Sequence, residues 1–361
     1  MPSAVIIGGG PAGSTAAILL ARSGWAITLV EQHRFPRDKV CGECLSALGA
    51  EVLGRLGLFD DARALGAVRL GRTLLHAPDG TCVDAKLPRP MWGVSRIALD
   101  GLMLDAAANA GARLRQPARC ESIKLGERPC VRVRDLVTNA VESLDADYVL
   151  LADGKSALLD GSPPPPSGDL GIKAHFHNVD GPRDAVELFG LTGCYGGLAP
   201  IEGGRWNAAF SVPASRVRRH GGNLSRLFAE LLTENSTLRH RLANAHQLRD
   251  WLASPLPRFP VRARWPQRVI PLGNAAAAIE PIGGEGMGLA MRSAEIAAAR
   301  VSGSFTADVV RGHYRRLWRS RSVGCRAGAL AAGSPRLATA SARALRLLPS
   351  ALGPVMKLIG K

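Results

Sequence analysis

Gly8, Gly10 and Gly13, in the run Gly8-Gly9-Gly10-Pro11-Ala12-Gly13, stand at the spacing of a phosphate-binding turn. The first glycine allows a tight turn, the second lets bare backbone approach a pyrophosphate, and the third lets the next helix pack closely on the strand before it. Glu31, with Gln32 beside it, lies where a carboxylate accepts hydrogen bonds from ribose hydroxyls. Two later glycine-bearing junctions stand out: Asp153-Gly154, and a run from Gly273-Asn274 through Pro281, Gly284 and Gly286 to Met287. The chemistry implied is the holding of a dinucleotide whose ribose carries no phosphate.

The elements that must position these residues can be read around them. Ala4 to Ile7 is a short apolar strand, Ser14 to Ser23 a helix whose N-terminal amides face the phosphates, and Ala26 to Val30 a second strand ending at Glu31. Strand, turn, helix, strand and acid in order is more than an ordinary strand-to-helix turn would supply. An acid at the end of the second strand suits FAD or NAD. Asp147 to Leu151 and Val269 to Leu272 are further apolar strands running into Asp153-Gly154 and Gly273-Asn274.

With these segments the chain resembles the flavoprotein superfamily of aromatic-ring hydroxylases, flavin-dependent halogenases and geranylgeranyl reductases, over roughly residues 1 to 300. The resemblance implies that the first glycine loop cradles the FAD pyrophosphate, that Asp153-Gly154 lines the cofactor cleft and that the Gly273–Met287 segment holds the ribityl chain. Ser95-Arg96, before Leu99-Asp100-Gly101-Leu102, is similar to the superfamily's arginine that reaches the cofactor from a helix start. The usual late Gly-Asp is Gly273-Asn274 here. An amide still hydrogen-bonds a ribityl hydroxyl but carries no charge, and Asn274 is equally suited to capping a following helix.

Seven cysteines at irregular spacing imply no disulfide framework and fit a reducing compartment. Cys41-Gly42-Glu43-Cys44 is a CxxC without a second ligand pair, so no metal is expected; a dithiol working beside a flavin and plain packing both stay open. The segment Phe35 to Glu43 resembles the Cys-Gly-acid motif of geranylgeranyl reductase relatives, which lies beside the flavin ring. Cys41, and after it Glu43, are therefore the catalytic candidates. The alternative is a buried thiol and a helix-start acid.

Gly161-Ser162 and Pro163 to Pro166 read as a stiff boundary. Beyond it, Gly171 to His177 alternates, with Ile172, Ala174 and Phe176 on one face and Lys173, His175 and His177 on the other. Either His175 and His177 line a substrate cavity, or this is an exposed polar face. Val186 to Gly190, Gly193 to Pro200 and Trp206 to Val212 read as antiparallel strands, with Glu202-Gly203-Gly204 as a turn. The resemblance makes this sheet a roof over the flavin, with Tyr195, Gly197 and Ala199 facing substrate. Gly197 and Ala199 stand where reductase relatives carry bulky aromatics, which opens the roof, and the halogenases' Trp-x-Trp-x-Ile-Pro motif is missing.

The chain of 361 residues, 46% hydrophobic and 21% charged, can bury one or two sizeable cores. No secretory signal or run of transmembrane length is read, so a cytoplasmic protein, at most peripheral to a membrane, is expected. Net charge is +16, and from Phe305 to Lys361 eleven basic residues face the single Asp308. Apolar residues at helical spacing accompany them, from Val309, Val310, Tyr314, Leu317 and Trp318 to Leu345, Leu347, Leu348, Leu352, Val355, Met356, Leu358 and Ile359. Three readings compete: helices packed on the cofactor domain with a basic rim, a membrane-surface anchor, or a dock for an acidic carrier protein. No nucleic-acid motif accompanies the charge.

The expected fold is α/β: a Rossmann-like three-layer FAD-binding domain (1–75, 95–160 and 265–304), an antiparallel β-sheet substrate domain (76–94 and 161–264) and a basic helical C-terminal segment (305–361). The expected activity is that of an FAD-dependent oxidoreductase with transient NADPH or NADH and a lipophilic substrate. The opened roof leans the reading toward a monooxygenase using O2 on an aromatic or polyketide-like compound. The Cys41 motif favours the alternative, an ene reductase saturating an isoprenoid or lipid, and a non-catalytic FAD-bound scaffold is a third alternative.

Overall fold

The computed structural model describes residues 1–154, 158, 168–303, 306–348 and 353. The expected boundary at Gly161 to Pro166 and the apolar and basic residues at the end of the chain, including Lys357 and Lys361, lie outside them.

Among the described residues, five strands form a parallel sheet in the order Val269–Pro271, Tyr148–Leu151, Ser3–Ile7, Ala26–Val30 and Arg113–Arg115. Such strands are buried on both faces and read as continuous apolar runs, as Ala4-Val5-Ile6-Ile7 does. Because the strands are parallel, their carboxyl ends lie along one edge, and Gly8, Glu31, Asp153 and Gly273 each follow one of them. That edge is where open α/β sheets bind ligands. Helices Pro11–Arg22, Arg96–Asn109 and Gly286–Val301 pack on one face, burying Ile18, Leu20, Leu99, Met103 and Met291 in the largest core. Three antiparallel strands, Ala118–Lys124, Cys130–Asp135 and Val141–Asp145, complete the layered unit.

A second, nine-stranded sheet is built around Asp169–His177, Trp206–Pro213, Cys194–Pro200 and Ala185–Leu191, antiparallel in that order. It continues through Val68–His76, which pairs parallel with Ala185–Leu191, and Cys82–Gly93 to the short Cys44–Leu45. Val68–His76 therefore sits in this sheet although it precedes the boundary at 76. Helices Leu224–Glu234 and Ser236–Arg241, not read from the sequence, cover one face of the sheet and bury Leu227, Leu231 and Leu238 against Ile172, Phe176 and Phe210.

The opposite face of Asp169–His177 corrects one expectation. Lys173 is 0% and His175 2% exposed, so this is no solvated polar face. The Phe35–Glu43 segment closes over it and supplies carboxylates. The C-terminal helices Ala307–Ala332 and Pro335–Leu347 pack with Val310, Tyr314 and Trp318 inward on the main core and Ala342 on Ala77 and Val83. The packed reading of the tail thus holds for the inner faces of these helices.

Candidate active site

The glycine turn is built by close backbone contact. Gly8 has φ +102°, and a Cβ there would lie 2.5 Å from the Ala152 carbonyl oxygen. A Cβ on Gly13 would lie 1.8 Å from the Gly8 oxygen, so the Pro11–Arg22 helix can approach the strand only through glycine. Gly10 is different: a Cβ there would meet only Arg96 Nη2 at 3.7 Å, because the residue faces open space. Pro11 has no N–H to leave unpaired at the first helical position. No side chain caps this helix start and no acid occupies its first turn, which leaves positive dipole and free amides for an anion. Glu31 is buried and accepts hydrogen bonds from the Gly9 N–H through Oε2 and the His33 N–H through Oε1, both at 2.8 Å. Gln32 is exposed and contacts the His33 ring.

Gly10, Pro11 and Ala12 open onto a cavity of about 250 Å³. Gly154, Gly273, Asn274, Pro281, Gly284, Gly286 and Met287 line it from the late segments, and Arg96 and Cys41 from the side. Asn274 lies inside the Gly273–Ala275 turn, and the next long helix begins only at Gly286, so Asn274 does not cap it. Asp153 is next to the lining residues Ala152 and Gly154, and burial pushes its carboxyl up to about 6.

The loop carrying Cys41 is anchored by charge. Arg96 follows the capping residue Ser95, is buried, and makes a bidentate bond to Asp100 at 2.7 and 2.6 Å. Burial opposes its charge, but Asp100 and a hydrogen bond to Cys41 hold it protonated above the ordinary arginine range. Cys41 is half-buried; its Sγ accepts the Glu43 N–H at 3.4 Å and its carbonyl accepts from Asn207 Nδ2 at 3.1 Å. Glu43 adopts φ 54°, a strained backbone for a non-glycine residue. Its carboxylate is 0% exposed: Oε1 accepts from Lys173 Nζ at 2.6 Å and the Arg96 N–H at 2.8 Å, while Oε2 pairs with His175 Nε2 at 2.6 Å. Lys173 also bonds Asp38; burial works to raise that carboxyl, but the Lys173 bond and charge, with His175 and the Lys39 N–H, together hold it below its usual range. Asp38, Glu43 and His175 place ligand atoms within 4.8 Å of one another, but the Lys173 ammonium already supplies the positive charge that the two carboxylates need.

The roof is apolar. Val186, Leu188, Leu198, Ala199 and Phe210 line the cavity, with Tyr195 and Gly197 among them. Tyr195 donates its hydroxyl to Glu280 Oε1 at 2.6 Å, and burial together with that carboxylate raises its phenol well above the usual value, keeping it a donor.

Residues 2–161 match the family described as FAD binding domain. These residues form an FAD-binding domain, and the chain is similar to FAD-dependent enzymes. Over 317 residues it is 24% identical to digeranylgeranylglycerophospholipid reductase 2 of Methanopyrus kandleri, covering 85% of this chain and 77% of the relative. It is 25% identical over 327 residues to conditioned medium factor receptor 1 of Dictyostelium discoideum, covering 83% of this chain but spanning only 63% of that relative's length. A flavin-dependent brominase superposes with a TM-score of 0.85 at 18% identity, covering 99% of this chain and 92% of that one, a likeness of fold.

The geometry of this chain fits FAD. The clearance at Gly10, the uncapped helix start and the buried Glu31 at a strand end are what a pyrophosphate and an adenosine ribose require, and Gly273 and Asn274 flank the same cavity further along. One site expectation is corrected. His175 and His177 do not line the cavity: His175 is bound to Glu43, and His177 sits at the strand end paired with His246. Glu43 lines the cavity beside Cys41, with its carboxylate hydrogen-bonded by Lys173 and the Arg96 N–H and paired with His175. Asp38, Lys173, Asp100 and Glu280 were missed. Asp100 pairs with Arg96 one helical turn away, but the partners of Asp38, Lys173 and Glu280 lie far away in sequence, and the only local hint to them was a lysine and a histidine alternating with residues destined for a core.

Proposed function

We propose that this flavoprotein reduces a carbon–carbon double bond in a lipophilic, isoprenoid-like substrate, with NADPH or NADH as the transient reductant. The observation that carries the reading is Cys41: a half-buried thiol on the wall of an apolar cavity, held by Arg96 and by the Glu43 turn. The similarity to a phospholipid reductase over most of the chain supports it. FAD, when bound and reduced, supplies the hydride. The remaining work falls to the chain. Val186, Leu188 and Ala199 bind the apolar substrate and exclude water, Cys41 Sγ delivers the proton that completes saturation, and Arg96 faces the sulfur that has given it up. Glu43, gripped by Lys173 and His175, keeps the loop in its strained conformation so that the thiol stays on the wall.

A second reading, monooxygenation of an aromatic or polyketide-like substrate, is favoured by one feature: Gly197 and Ala199 leave the roof open to a wider ligand. The two separate by oxygen demand. NADPH oxidation with an unsaturated isoprenoid lipid under anaerobic conditions, with a saturated product, is expected; strict dependence on O2 with a long-chain phenol would transfer the assignment to the second reading. Cys41→Ala should retain FAD absorbance and lose about 10²-fold or more in turnover, the range of a general acid. Unchanged turnover would return Cys41 to packing.

A further inference from the structure

We propose that the outer faces of the two C-terminal helices dock this protein on an anionic lipid surface. From Val309 to Leu348 the sequence holds nine arginines and no carboxylate. On the Ala307–Ala332 helix, Arg316, Arg319, Val323, Arg326 and Leu330 are all exposed and recur at helical spacing, so they form one stripe opposite the buried Tyr314 and Trp318. The Pro335–Leu347 helix is apolar on two sides. Ala338, Ala342 and Leu345 face the small core with Ala77 and Val83, while Leu337 (54% exposed), Leu347 (81%) and Leu348 (62%) face outward beside Arg336 and Arg343.

Charge and apolarity together choose the partner. An acidic protein would answer the arginines but leave the outward leucines in water, whereas a bilayer of anionic lipids satisfies both, with guanidinium groups at the headgroups and leucines at the acyl boundary. The stripe also leads inward. Arg326, which reaches Glu280 at 3.3 Å, and Leu330 form one wall of a second cavity of about 310 Å³ lined also by Asp169 and Arg258; its other wall includes Tyr195 and Ser211, and those two residues line the reaction cavity as well. A surface that meets lipid at this point lies next to the cavity in which a lipophilic substrate would react. The docking itself does not depend on which reaction is carried out.

The test uses the full-length, FAD-loaded protein and vesicles of phosphatidylcholine alone or with about one-third phosphatidylglycerol. Sedimentation with the anionic vesicles should exceed that with neutral ones by at least about tenfold and weaken at about 0.5 M salt, as screening of arginine–headgroup attraction requires. Leu337→Glu combined with Leu347→Glu should cut anionic-vesicle binding by about tenfold or more, with flavin absorbance and melting temperature unchanged. Equal affinity for both vesicles, no effect of the double substitution, or capture by an acidic polypeptide but not by vesicles would overturn the proposal. A chain ended after Leu348 should still bind; loss of binding there would move the docking segment to residues 349–361 and overturn the assignment to these helices.

Discussion

The glycine cradle and the Asp38–Glu43–Lys173–His175 cluster approach the same cavity, and they are made in opposite ways. The cradle is backbone: Gly8, Gly10 and Gly13 work by having nothing to put in the way, Gly8 and Gly13 lying against each other and the Ala152 turn and Gly10 facing open space beside Arg96. The cluster is side chain: four titratable groups from two distant segments, two of them wholly shielded from water, balancing one another's charge. A site made from absent side chains tolerates no addition. A site made from paired charges tolerates no subtraction.

The largest effect expected on that contrast is at Gly13. Gly13→Val places a side chain where even a Cβ would lie 1.8 Å from the Gly8 oxygen, so FAD retention should vanish; a yellow, fully loaded variant would refute the cradle. Next, Lys173→Met leaves Asp38 and Glu43 buried without their cation. It should destabilise the fold by about 3–5 kcal/mol in urea unfolding, the cost of stranding a buried charge. A loss below about 1 kcal/mol would reduce the cluster to the worth of a surface pair. The two substitutions should also separate by readout, since Lys173→Met disturbs the Cys41 loop and lies away from the glycine turn.

Asp153 belongs to the cradle and shifts the opposite way from Asp38 in the cluster, because burial raises its carboxyl to about 6 from an ordinary 3.8. Its protonated form is favoured in the folded state, so the stability it contributes is complete below about pH 4 and is lost as pH rises through about 6. At about 1.4 kcal/mol for each tenfold gain in proton affinity, the loss is at most about 3 kcal/mol. Urea midpoints of Asp153→Asn should fall less than those of the unsubstituted protein between pH 4 and 7, and parallel curves would remove the carboxyl from the account. The smallest effect is expected at Asn274, which is exposed to the cavity: Asn274→Asp should change FAD affinity by less than about tenfold, the scale of one added charge-assisted hydrogen bond.

The outer helices repeat the contrast at the surface. Their amphipathic spacing is plain in the sequence, yet the Pro335–Leu347 helix has apolar residues on two sides, and nothing in its own residues says that Ala338 and Ala342 would turn inward while Leu337 and Leu347 stayed out. That choice belongs to Ala77 and Val83, which come from a distant hairpin.

The sequence by itself determined the dinucleotide cradle, the parallel strands that feed it and the identity of the thiol loop. In each case the information is local: glycine positions and apolar runs act over a few residues, through backbone conformation and strand periodicity. Tertiary structure alone decided that Lys173 and His175 would be buried, that both would bond Glu43, and that Tyr195 would lean on Glu280. Those outcomes depend on partners 130, 132 and 85 residues away, and the charge of a side chain does not reveal which opposite charge the fold will bring to it.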